Sequence, residues 1–140
     1  MVDVSERMRQ QRLQQVDLRV RAHESAHMAA IGPYATSGIR YSTVMGPGGR
    51  AYAVGGSVGV DLNPVPGDPE ATIRKARAIR RAAYGPANPS AADHRVAAAA
   101  YRMEMRAKAE LEEQEAEAEA QAEDEKRRLR GKPPRIDLYA

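Results

Sequence analysis

His23, Glu24 and His27 are the residues of this 140-residue chain whose types and spacing could most directly do chemistry. On a helix, positions 23 and 27 lie one turn apart on one face, so both imidazoles can point at a single ion about 2 Å away. Glu24 sits beside them rather than in line with them. That offset keeps the carboxylate off the ion and free to take a proton from a water attacking a carbonyl, then to pass it to the leaving amine. The pattern His-Glu-x-x-His is thus that of a zinc-dependent peptide hydrolase, with His23 and His27 as metal ligands and Glu24 as general base and then general acid.

Three fixed positions recur by chance in many helices, so the context has to carry part of the argument. These are two of only three histidines in the chain, and they continue a stripe of Leu13, Val16, Val20 and Ile31 at spacings of three and four. A plain amphipathic helix would place apolar side chains there. Paired imidazoles on a buried face need a partner, and a metal is the simplest one.

Two histidines do not complete a site. The longer His-Glu-x-x-His-x-x-Gly-x-x-His pattern is absent, because Ala30 and Pro33 occupy its glycine and third-histidine positions. Asp61, at the end of a strand that can approach the active helix, is the first candidate for the third metal ligand. Asp93 and His94 come next, and Glu70 is a further alternative. Each also has a plain role: Asp61 at a turn, Asp93 as a cap, His94 on a half-exposed helix face, and Glu70 in a first helical turn.

The elements that must position these groups follow from local pattern. Residues 5–31 read as a helix ended by Gly32-Pro33. Residues 39–45 and 50–61 read as the arms of a hairpin around Gly46-Pro47-Gly48-Gly49, with Gly55-Gly56 marking a bulge or a close backbone approach. A helix then begins with Asp68 as N-cap and Pro69 at its first position, and it ends at Gly85-Pro86. A last helix starts at Ser90, spaced from Asp93 as in a capping box with Asp in place of Glu. From 103 to 130 alanine and charge replace large apolar residues, which predicts an exposed charged helix.

The fold expected is α+β: a small, mainly helical single domain with the His-Glu-x-x-His helix, a β-hairpin and a long charged C-terminal helix. The metallopeptidase-like part spans 1–102, and 103–140 is a helical extension with a proline-containing tail. The six tyrosines are the only aromatic residues, so the core must be thinly filled. With no cysteine, thiolate metal sites and disulfides are excluded.

A net charge of +3 is too small to indicate nucleic acid, and the basic runs at 74–81 and 125–130 lie on separate elements without stacking aromatics. The glycine-rich pieces match neither phosphate-binding pattern. No apolar segment is long enough to span a membrane, and no apolar leader precedes the helix, so the expected location is cytoplasmic. The expected partner is a peptide or protein substrate, held in extended form along the hairpin edge with Tyr41 or Tyr52 available to an oxyanion. The charged helix offers a second surface for a protein partner.

The blocks VRAHESAH, GGRAYAVGGSVGVD, GDPEATIRKARAIRRAA and NPSAADHRVAAAA occur in this order and together resemble the SprA-related family, over roughly residues 16–100. The resemblance implies a zinc metallopeptidase whose motif residues here are His23, Glu24 and His27. The family pattern has a glutamate where this chain has Ser57, an aspartate at Gly48 and commonly a glutamine at Ser25. Positions 57, 59 and 61 share one face of an ideal strand, so the change at 57 leaves Asp61 as the carboxylate there. A different class of function is an inactive structural or interaction module that keeps a metal-binding helix and works through its charged arm.

Overall fold

A computed structural model describes residues 3–131. The proline-containing tail at 132–140 lies outside the described residues. Five regular elements follow one another: α1 (Val4–Ile31), β1 (Ala35–Met45), β2 (Ala51–Val60), α2 (Pro69–Ala83) and α3 (Ala91–Gly131). The fold is a mainly helical α+β domain with one two-stranded antiparallel sheet.

The stripe expected on α1 is buried only toward its C-terminal end, at Glu24, His27 and Ile31. Its N-terminal half is held by polar contacts instead. Arg9 donates to the Met45 carbonyl at 3.2 Å, and Asp17 accepts the Ala53 N–H at 2.7 Å. These bonds run the helix alongside β2, in the same direction as that strand.

The hairpin starts earlier than the sequence pattern suggests, at Ala35, because the turn at 32–34 delivers the chain straight into β1. Gly48 and Gly49 take φ of 75° and 71° in the connecting turn, a conformation that side chains other than glycine resist. Register runs Thr43↔Ala53 and then Ser42↔Gly55, so Val54 is the extra residue of a bulge just before the glycine pair. The sheet closes where Asp61 N–H donates to the Tyr34 carbonyl at 2.8 Å.

α2 begins as expected: the Asp68 carboxylate accepts the Ala71 N–H at 3.0 Å and Pro69 takes the first position. The capping box at the start of α3 also forms, with Ser90 N–H donating to Asp93 at 2.7 Å and Asp93 N–H to Ser90 Oγ at 3.1 Å. α3 is one unbroken helix of 41 residues. The composition change near 103 coincides with no break; burial simply fades after Ala107.

The core lies between α2 and α3, where Ala76, Ile79, Ala100 and Met103 meet, with Tyr34, Val60 and Val96 against them. Alanines let the two helices approach closely, which fills a core that has few large side chains to offer. Two buried charges brace its ends. Lys75 meets Asp61 at 2.9 Å and the Asn63 carbonyl at 2.6 Å, and Glu104 accepts from Arg77 at 2.7 Å and Arg80 at 3.3 Å.

A candidate metal centre

His23 and His27 project from the last turns of α1 toward the start of α3 and meet Asp93. His23 Nε2 lies 3.1 Å from Asp93 Oδ2, His27 Nε2 lies 3.0 Å from Asp93 Oδ1, and the two Nε2 atoms are 3.1 Å apart. Three Lewis bases converge with no lysine or arginine among them. In tetrahedral zinc coordination, neighbouring nitrogen and oxygen ligands stand roughly 3.3 Å apart, so this donor set fits such an ion. Among the described residues, His23, His27 and Asp93 are the group able to hold a metal.

The orientation of His27 is set from behind. Its Nδ1 is 2.9 Å from the Ala82 carbonyl in the last turn of α2. A carbonyl only accepts, so Nδ1 carries a proton, which leaves Nε2, the nitrogen facing the cluster, as the one that can ligate a metal. No residue-type signal in the sequence could have revealed this bond, because its acceptor is backbone.

Asp93 is ordered by the cap. Burial pushes its carboxyl up, but the Ser90 N–H and His27 outweigh that and hold it below the ordinary carboxylate range. It is therefore ionised at neutral pH and carries the cluster's negative charge.

Asp61, the first candidate for the third ligand, lies elsewhere. Its carboxylate is bound to Lys75 and accepts the Asn63 N–H at 2.9 Å, and the Lys75 bond holds its carboxyl below the usual range. Its charge compensates a buried ammonium, which a metal ligand could not do at the same time. His94 Nδ1 stands 3.4 Å from the Tyr84 hydroxyl, and Glu70 is exposed in the first turn of α2. Neither joins the cluster.

Glu24 is 7% exposed on the neighbouring face of α1, against β2. A Cβ built on Gly56 would stand 2.8 Å from Glu24 Cγ, so the carboxylate arm fits only because position 56 lacks a side chain. The close backbone approach expected at the glycine pair is thus an approach to Glu24. Ser57 follows on the wall of a narrow cavity that Glu24, His27 and Asp93 also line.

A cleft of about 760 Å³ opens on His23 and Glu24 between α1, Gly55-Gly56 of β2 and the loop at 86–90. Tyr41 and Tyr52 do not line it. The Arg21 guanidinium lies over the Tyr41 ring, and Tyr52 is buried beside Gly46, at the turn end of the hairpin. No helix among the described residues is long and apolar enough to cross a membrane.

In sequence comparison, residues 3–137 match the model of the SprA-related family, and the chain belongs to that family. No curated protein and no solved structure matched the sequence.

Proposed function

We propose that this chain is a zinc-dependent peptidase in which His23, His27 and Asp93 hold the metal and Glu24 is the general base. The observation that carries the reading is a convergent His-His-Asp donor set, free of any internal cation, of which His23 faces a cleft that the buried Glu24 also lines. Zinc bound there supplies Lewis-acid activation of water and of the scissile carbonyl.

The protein side of the chemistry follows from position. Ala82 fixes the His27 ring and Ser90 fixes Asp93, so the donors are organised before an ion arrives. Glu24, one residue from His23 and held against Gly56, takes the proton of the attacking water and returns it to the departing amine. Its burial keeps the Glu24 carboxylate itself largely away from bulk water. The outer edge of β2 at Gly55-Gly56, beyond the Ala53 N–H that Asp17 takes, gives an extended peptide a short stretch of backbone to pair with.

The test is elemental analysis of the purified chain, beside a His23→Ala, His27→Ala double variant and Glu24→Gln. The expected result is one zinc per chain, absent in the double variant. Glu24→Gln should retain the zinc and lose turnover of a peptide library by about 10²–10⁴-fold. Zinc bound without any cleavage would instead support the structural module, and absence of zinc after supplementation would remove the proposal.

A further inference from the structure

Arg19 is the only lysine or arginine lining the cleft, and among the described residues it makes no ion pair. Its neighbours in the wall, Val16 and Val20 on α1 and Pro86 and Ala87 opposite, are apolar. Asp17 is not available to it, because that carboxylate is taken by Arg21 and the Ala53 N–H. An unpaired guanidinium beside an apolar channel is a recognition group for an anion, and its planar fork suits a carboxylate.

Position makes the inference specific. Arg19 precedes His23 by four residues, one helical turn on the same face, or about 6 Å along the axis. An extended peptide advances about 3.3 Å per residue, which makes that offset about two residues, and a long helical side chain leans further toward the N-terminus, so the guanidinium stands two to three residues from the bond at the cluster.

The direction can be read as well. α1 and β2 run parallel, since Asp17 meets Ala53 while Glu24 meets Gly56 further on. A peptide pairing antiparallel to the β2 edge, the more stable arrangement, would point its C-terminal end toward Val16. Arg19 then meets the side of the substrate that leaves as the amine.

We infer that Arg19 selects substrates bearing a carboxylate two to three residues C-terminal to the scissile bond, either an acidic side chain or the chain terminus. This rests on the peptidase reading of the same cleft for its register. Recognition itself is a binding property and can be measured without turnover.

The experiment uses the Glu24→Gln chain and three hexapeptides of alanine and valine, each N-acetylated. One carries glutamate at the fifth position and a C-terminal amide, the second has glutamine there with the same amide, and the third has only uncharged side chains and a free C-terminal carboxylate. Calorimetric titration should show a carboxylate-bearing peptide binding roughly tenfold tighter than the glutamine peptide, the scale of one charge-assisted bond at an accessible site. Adding Arg19→Gln should abolish the difference and Arg19→Lys should keep part of it, with zinc content and melting temperature unaltered. A preference for the first peptide assigns an acidic side chain, and a preference for the third alone assigns the terminus.

Equal binding of all three peptides, no binding of any, or a preference that survives Arg19→Gln would overturn the inference. Cleavage by the wild-type chain without carboxylate preference would sink it and leave the peptidase reading intact. Arg19-dependent binding by a chain that neither holds zinc nor cleaves would do the reverse.

Discussion

Two clusters of buried titratable side chains sit on α3, and their make-up differs in one respect. Around Glu104, 3% exposed, the chain supplies its own counter-charges in Arg77, Arg80 and Lys108. Around Asp93 it supplies two more Lewis bases and no permanent cation. A buried carboxylate that is internally neutralised holds helices together. One that meets two histidine nitrogens and no lysine or arginine is, in the reading proposed above, the place for a divalent cation. The same helix thus carries a structural ion network from its fourth turn onward, and the candidate metal site in its first.

The comparison can be broken from either side, and the largest effect is expected beside the chemical site. Gly56→Ala places a methyl group against Glu24 Cγ, so peptide turnover should fall by about 10²-fold, the scale of a misplaced catalytic group. Zinc content should stay at one per chain. A variant with full turnover would show that Glu24 needs no such fit.

On the structural side, Arg77→Ala removes the shortest bond to Glu104 but leaves Arg80 and Lys108. Because Arg77 is half exposed, the expected cost is about 1–2 kcal/mol, read from urea unfolding, with zinc content unchanged. Loss of zinc in this variant would mean the two clusters are not independent.

Ser90→Ala separates the cap from the ligand, because it removes the Oγ that accepts the Asp93 N–H and keeps the Ser90 N–H that holds the Asp93 carboxylate. Stability should drop by about 1 kcal/mol, with zinc affinity in a chelator competition nearly unchanged. A large loss of affinity would mean that the Ser90 hydroxyl itself orients Asp93.

The smallest effect is in pH. Burial pushes the Glu104 carboxyl up, but Arg77, Arg80 and Lys108 outweigh it, and Asp61 is lowered by Lys75. Both carboxyls therefore bind protons less readily folded than unfolded. The stability they contribute is fully present above about pH 4–5 and is lost as pH falls through their folded values. Melting temperatures of the metal-free chain should fall below about pH 4, and Arg77→Ala should make that fall shallower, because it brings the folded Glu104 carboxyl closer to its unfolded value.

Much of this arrangement was legible because it is local. The helix carrying His23 and His27, the turn glycines, the Asp68 cap and the Ser90–Asp93 box are each set by residues within a few positions of one another. The third member of the cluster was not, for a physical reason. Asp93 reads as a cap and is one, yet its two oxygens also reach His23 and His27, and local pattern gives no sign of a contact 70 residues away. Asp61 reads as an available carboxylate, but the buried charge of Lys75 on the next helix claims it. The continuity of α3 was hidden by a composition change that alters what the helix packs against and not whether it is helical.

The span between His23 and Asp93 has a further consequence. Those residues close a loop over most of the folded body, in a chain without a single cysteine. Chelation across that loop would act as a removable cross-link, limiting the conformations open to the unfolded chain much as a disulfide does. For a domain whose core is built largely from alanine, the ion proposed for the site would then also be a fastening, and an environment that stripped it would loosen the fold as well as empty the site.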